Sequence, residues 1–369
     1  MLVQQVLMPG SSVESWTVLG AGGGPVEPVE RYLAYLSDIE RSPNTVKAYA
    51  HDLKDWLVFL DQRGLDWAEV ALEDLGEFVA WLRLPPAGRD GGVALLPSAD
   101  HHCSVSTVNR KLSAVSGFYV FHARHGVQLG DLVTELQPVR SRRSGWKPFL
   151  YHLAGGAPER RRTIKLRQPQ RHPTILTVAQ VQAIMDACTR LRDRFLFALL
   201  WESGIRIGEA LGLRHEDLAV AECELTVAPR VNDNRARAKS ASPRVIPLGP
   251  AVVRLYGDYL HTEYGDLDSD YMFVNLWGGA FGQPMTYAAV YDLVRRLRRD
   301  TGVDFDPHWF RHSYATRLMR LNTPIEVVSA LLGHASIATT VDIYGHLTAE
   351  DARRALEAAG FLTGSEVTW

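Results

Sequence analysis

The chain is poor in cysteine, with three in 369 residues. Cys103, Cys188 and Cys223 lie far apart, with neither the short spacing of a zinc site nor the pairing of a disulfide framework. That usage fits a reducing cytoplasm and gives no expectation of a metal site. Long apolar runs are missing as well. None reaches the ~18 residues that a membrane helix requires, so no membrane association is expected. The opening residues MLVQQVLMPGSS lack the basic start and apolar stretch of a signal peptide. Nor is there an overall excess of charge: 40 Lys and Arg stand against 42 Asp and Glu, a net −2. Net charge alone therefore argues against a nucleic-acid partner, and a polyanion would have to be met by local clusters.

One such cluster is present. Arg140, Arg142, Arg143, Lys147, Arg160, Arg161, Arg162, Lys165, Arg167 and Arg171 face a single acid, Glu159, in the same stretch. A segment of that kind can neutralise several phosphates and release their counterions. Its plainer reading is a solvated linker.

The length suffices for two domains, and 46% hydrophobic with 22% charged residues is ordinary for a globular protein. Residues 1–25 form an N-terminal extension with one strand-like piece, SWTVL, ending in the flexible AGGGP. From Val26 the pattern turns helical. Val29, Leu33 and Leu36 mark one helix; Ser42-Pro43 caps a second, closed by Gly64; a third runs from about Leu72 to Leu84; a fourth spans about Ser106 to Arg124. Lys47, Arg110 and Lys111 fall on the outer faces, where they are candidates for DNA backbone contact, although such residues are commonly just a solvated surface. We assign 26–137 to this helical domain, 138–172 to a basic linker and 173–369 to a second domain. In the second domain, an apolar helix around Phe195 to Trp201 ends at SGIRIGEAL, and two β-branched strands, ELTVAP and PRVIPLG, flank the loop NDNRARAKSAS. Helices follow at about 251–263 and 287–299, and a last one is expected over Ala349–Ala358.

The richest stretch runs from Pro307 to Leu347. His308 and Arg311, three residues apart, share one helix face. Thr323 and Pro324 open the next helix as N-cap and first residue, and Gly333 closes it with His334 directly after. Tyr344 follows a polar, β-branched run. With Arg206 and Lys239 upstream, the set is suited to a phosphodiester. Two guanidiniums can fork the non-bridging oxygens, imidazoles can donate or move protons, a lysine can protonate a leaving oxygen, and a phenol activated by cations can attack. Each residue has an ordinary structural reading by itself: a surface HxxR pair, a helix-end histidine, a half-buried tyrosine, an i,i+3 bridge between Arg206 and Glu209. The combination is what carries the inference.

In order and local pattern the chain resembles the tyrosine recombinases of the phage-integrase family. SGIRIGEAL resembles the first-arginine box, KSASPRVIPL the lysine hairpin, HWFRHSYAT the His-x-x-Arg box, and LLGHASIATTVDIYGHL the box of the nucleophile. The resemblance implies a mostly α fold with a small antiparallel β-sheet: a helical, SAM-like core-binding domain followed by an α+β catalytic domain. It implies that Arg206 and Arg311 bind the scissile phosphate, Glu209 orients the site, Lys239 is the general acid, His308 moves a proton, His334 hydrogen-bonds the phosphate and Tyr344 attacks. Arg235 and Arg237 stand close enough to Lys239 to compete for its role. Neither metal nor ATP is implied, since the phosphotyrosyl link retains the bond energy. The implied partner is double-stranded DNA, held by a homotetramer on two sites, with accessory DNA-binding proteins as further partners. The basic segment 138–172, with Arg140, Arg142 and Arg143 as DNA-contact candidates, is longer than the linker of the simplest members and resembles transposon-borne ones. Two alternatives share much of the pattern: a catalytically inactive DNA-binding accessory protein, and a type IB topoisomerase.

Overall fold

The computed structural model describes residues 1–7, 14–89, 102–127, 134–137, 159–162, 164–167, 173–237, 242–277, 280–334, 337 and 340. Lys239, Tyr344, Arg140, Arg142, Arg143 and the helix expected over Ala349–Ala358 lie outside them. The chain divides into two compact units, Met1–Gln170 and Arg171–Trp369.

In the first unit, strand β1 (Leu2–Leu7) pairs antiparallel with β2 (Glu14–Leu19), Leu2 opposite Leu19. The expected SWTVL strand is therefore half of a hairpin, which packs on the two helices that follow. Two of its inward residues are polar, and both are satisfied. The Ser15 and Ser37 hydroxyls lie 2.9 Å apart, and Thr17 donates to Glu30.

Helices α1 (Glu27–Asp38), α2 (Pro43–Arg63), α3 (Leu72–Arg83) and α4 (Val105–Arg124) build the body of this unit. Their ends follow from local chemistry. The Ser42 hydroxyl accepts from Thr45 N and starts α2, and Gly64, at φ +64°, ends it in the left-handed conformation that glycine adopts without penalty. Ser104 caps α4 through Thr107 N at 3.2 Å. Trp56, Phe59, Phe78 and Phe118 are fully buried between the helices. The indole of Trp56 donates to the Tyr119 hydroxyl at 3.1 Å, which donates in turn to Trp67 O at 2.9 Å. Gly117 is required where α4 meets α1, since a Cβ there would lie 2.3 Å from the Tyr32 hydroxyl.

Part of the stretch taken as linker belongs to this unit. Strand β3 (Thr134–Gln137) pairs antiparallel with β4 (Glu159–Arg162). Asn109 of α4 exchanges two hydrogen bonds with the Leu166 backbone, 3.0 and 2.9 Å long.

Lys111 corrects the sequence reading: it is not outward but 6% exposed. Its ammonium lies 3.1 Å from Asp52 and 2.6 Å from Asp55. Asp52 is fully buried, so its partner had to be drawn inward, and the lysine stem covers apolar surface on the way. Arg110 also pairs with Asp52 but keeps a side chain 47% exposed. Lys47 is exposed, its ammonium 4.5 Å from the Trp16 ring centroid. Lys111→Ala should therefore cost about 2–4 kcal/mol by stranding Asp52 with Arg110 alone. The expected readout is a lower thermal midpoint with DNA affinity unchanged at permissive temperature. An unchanged midpoint with weakened DNA binding would restore the outward reading.

The second unit begins with α5 (Val178–Ala187), capped reciprocally by Thr177 and Gln180. Helix α6 (Leu191–Ser203) is apolar from Phe195 to Trp201 and runs through the core, with Phe195, Leu196, Phe197, Leu199 and Leu200 fully buried. Gly204 breaks it at φ +63°; a Cβ there would lie 2.3 Å from the Tyr314 ring. The short α7 (Ile207–Ala210) follows, then a sheet of β5 (Leu218–Ala219), β6 (Glu224–Val227) and β7 (Arg244–Pro247), antiparallel in that order. Leu225 of β6 faces Ile246 of β7, both fully buried. Then come α8 (Pro250–Tyr259), continued by a π-helical turn to Tyr264, α9 (Tyr287–Thr301), α10 (Pro307–Arg320) and α11 (Ile325–Leu332). Helix α11 starts one residue later than expected: Pro324 is the N-cap, and no side chain caps it. Among the described residues, no helix is long and apolar enough to cross a membrane.

Candidate active site

Two turns and one helix face place the polar residues singled out in the sequence. The α6–α7 turn carries Arg206, the N-terminal half of α10 carries His308 and Arg311, and the end of α11 carries His334. Arg311 joins the three. It is 1% exposed, and its guanidinium donates to Gly204 O at 2.9 Å and to Leu332 O at 2.6 Å. Both acceptors are C-terminal helix carbonyls, which have no partner within their own helices and carry the negative end of the dipole. One arginine thus ties the residue two before Arg206 to the residue two before His334.

Arg206 is set by Glu209. The carboxylate accepts from Arg206 N at 2.9 Å and from its guanidinium at 3.0 Å, and it is itself fully buried. A second arginine, Arg244 of β7, lies on the other side of that carboxylate at 2.6 Å. Burial pushes the Glu209 carboxyl up, but the Arg244 hydrogen bond and charge, with those of Arg206, hold it below the usual carboxylate range. The charged form is thereby favoured.

His334 follows Gly333, whose φ of +62° turns the chain out of α11. Its backbone N–H donates to Ser329 O at 3.1 Å, and its Nδ1 lies 2.8 Å from the hydroxyl of the fully buried Thr340. Burial first, then Arg311, Arg206, Arg244 and His308, lower its pKa to about 4. The ring is therefore neutral at physiological pH. In the tautomer in which Thr340 donates to Nδ1, Nε2 carries the proton and is free to act as a donor. His308, at the exposed start of α10, stacks edge-on against His312 with ring centroids 4.5 Å apart. His312 is likewise lowered to about 4, by burial and then by His308, Arg311 and His334.

These shifts predict a pH dependence. Each imidazole takes up its proton near pH 6.5 in the unfolded chain but only near 4 in the folded one. Between those values the unfolded state binds more protons, so the stabilisation is fully present above pH 6.5 and is lost as pH falls toward 4. The second unit should melt at a lower temperature at pH 5 than at pH 7.5. His312→Asn should make that fall shallower; an identical slope would remove His312 from the account.

Of the residues named from the sequence, Arg206, Glu209, Arg311 and His334 are brought together here, and His308 adjoins them through α10. The sequence pattern does not single out Arg244 or Thr340, and it leaves His312 with an ordinary structural reading. Arg244 left a detectable trace: it alternates with Ile246, and a cation on the buried face of a strand needs a partner. Among the described residues, no group of three or more His, Cys, Asp or Glu is placed to hold a metal.

A helical unit followed by a helical unit with a small antiparallel sheet, with arginines and histidines gathered at its turns, is the architecture of the tyrosine recombinases. Residues 174–351 match the phage integrase family, and residues 29–126 match the family's N-terminal SAM-like domain. The chain belongs to that family. It is 35% identical over 353 residues to transposase A from transposon Tn554 of Staphylococcus aureus, covering 95% of this chain and 96% of that protein. It is 28% identical over 342 residues to tyrosine recombinase XerD of Corynebacterium glutamicum, covering 89% and 96%. Among solved structures, the Tn1549 transposon integrase in complex with a circular intermediate DNA superposes with a TM-score of 0.59 at 17% identity, over 90% of this chain and 99% of that one. The XerH site-specific recombinase bound to a palindromic difH substrate gives 0.56 at 19%, over 92% and 89%.

Proposed function

We propose that the chain is a site-specific DNA recombinase that cleaves and rejoins strands through a 3′-phosphotyrosyl intermediate, in the service of transposition. The observation that carries this is the Arg311 guanidinium, which holds the Arg206 turn and the His334 turn together. The relatives support it. The transposase of Tn554 matches over nearly the full length of both chains, and the XerH and Tn1549 integrase structures contain DNA.

In this reading Arg206 and Arg311 bind the non-bridging oxygens of the scissile phosphate and stabilise the charge of the pentacoordinate transition state. His334, neutral and fixed by Thr340, donates a third hydrogen bond, and Glu209 keeps Arg206 in register. Tyr344 loses its proton, with His308 as acceptor, and its oxygen attacks phosphorus. The Tyr–P bond forms as the P–O5′ bond breaks, and Lys239 protonates the departing 5′ oxygen. The 5′-hydroxyl of a partner strand then attacks the phosphotyrosine, restoring the phosphodiester and the phenol. The partner is double-stranded DNA, contacted outside the site by Lys47, Arg110 and the basic residues Arg140, Arg142 and Arg143. The working assembly is a homotetramer on two sites in the cytoplasm, joined by accessory DNA-binding proteins.

The test is a nicked duplex bearing candidate sites from DNA flanking the gene, without metal or ATP. A covalent protein–DNA band on a denaturing gel is expected, with recombined products from paired sites. Tight binding with no band would favour a non-catalytic DNA-binding protein. With a supercoiled plasmid carrying the same sites, relaxed circles without exchange would favour a topoisomerase, which the transposase and recombinase relatives do not.

A further inference from the structure

We propose that Arg244 is a positioning residue for strand cleavage, fixing both the carboxylate that orients Arg206 and the helix end that precedes His334. The inference rests on the roles given above to Arg206, Glu209 and His334.

Arg244 opens β7 on the face shared with Ile246, and its side chain is 9% exposed. All three of its nitrogens are engaged. Nη2 donates to Glu209 Oε2 at 2.6 Å, Nη1 reaches Oε1 at 3.4 Å, and Nε donates to Leu331 O at 2.8 Å. The fork meets a carboxylate while the stem meets a carbonyl, a combination that a guanidinium can make and an ammonium cannot. On the Glu209 side, the same two oxygens serve the backbone and guanidinium of Arg206. One carboxylate is therefore shared by two cations and cannot neutralise both. Arg206 is held in place while the pair retains net positive charge for a phosphate.

On the α11 side, Arg244 takes the carbonyl of Leu331 and Arg311 takes that of Leu332. Two guanidiniums from different elements thus satisfy adjacent carbonyls at the end of one helix, directly before the turn to His334. Gly333 fits this contact. Its φ is +62°, and a Cβ there would lie 2.8 Å from Arg244 Nη1. A salt bridge that served stability alone would have no need to reach both halves of the site.

The charged and titratable groups around Glu209 are Arg206, Arg244 and Tyr287 at the start of α9. Removing Arg244 leaves burial less opposed, so Glu209 takes up a proton at higher pH. His334, which Arg244 also holds down, charges at higher pH too. Both changes move the acidic limb of the cleavage profile in the same direction.

The experiment measures single-turnover adduct formation by the full chain on a nicked duplex from pH 5.5 to 9, with DNA affinity and thermal melting in parallel. Arg244→Gln is expected to cleave about 30-fold more slowly at neutral pH with its acidic limb shifted upward and DNA affinity retained. Arg244→Lys, which keeps the charge opposite Glu209 but not the reach to Leu331, should recover part of the rate and most of the limb position. A wild-type rate in Arg244→Gln, or a loss equal at every pH that follows the unfolded fraction, overturns the proposal. Should that variant melt below the assay temperature, Arg244→Lys decides, and a wild-type rate there is equally fatal. Arg206→Ala is the control for the underlying reading: full activity in it would overturn the role of Arg206, whatever Arg244 does.

Discussion

Tyr344→Phe is expected to abolish the covalent adduct, lowering its rate of formation by about 10⁴-fold or more, while DNA affinity stays within about twofold. The substitution deletes one oxygen and keeps the ring, so in the proposed reading only the nucleophile is lost. The buried hydroxyls of Tyr119 and Tyr259 are committed to carbonyls of their own units, and burial pushes each well above its ordinary pKa. Because the adduct retains the energy of the broken phosphodiester, its loss removes cleavage and rejoining together. The measurement is a denaturing gel of end-labelled nicked duplex after incubation with wild type and variant. A band that survives the substitution moves the nucleophile elsewhere and breaks the assignment of Tyr344.

Much of the fold was legible because its signals are local. Ser42, Pro43 and Gly64 bracket α2 within one helix length, and the apolar period of Val46, Leu53, Trp56 and Leu60 needs no distant partner. Gly204 and Gly333 announced the turns that carry Arg206 and His334 for the same reason. What escaped was decided at long range. Lys111 looks like any outward lysine until Asp52, on another helix, is seen buried beside it. The strand Leu2–Leu7 is the exception: Pro9-Gly10-Ser11-Ser12 stands before SWTVL as turn chemistry, so its pairing was open to a local reading. Arg244 fits the β7 pattern poorly as a surface cation, but only the fold brings Glu209 and Leu331 to it. Thr323 had the better capping side chain, yet the chain starts α11 after Pro324, where the fixed φ of proline sets the entry.

Arg311 sets the second large effect. Arg311→Ala should slow adduct formation by at least about 10³-fold, and Arg311→Lys by about 10²-fold, both measured as single-turnover rates with saturating nicked duplex. The asymmetry follows from geometry. The guanidinium spans two carbonyls from different helix ends, Gly204 O and Leu332 O, and in the proposed reading it also meets the scissile phosphate. An ammonium restores the charge as a point but cannot hold both carbonyls and the ligand in one plane. Stability responds less than activity. Truncation leaves two buried carbonyls unsatisfied, at about 1–3 kcal/mol each, but it also removes a cation that was costly to desolvate, and the two effects oppose. Thermal midpoints should therefore fall modestly, with both variants folded at the assay temperature. A lysine variant that cleaves at the wild-type rate would show that charge alone suffices and that the bridge between the Arg206 and His334 turns is incidental. A slow lysine variant with a near-native melting point would show that the site depends on one side chain holding two helix ends at a fixed separation.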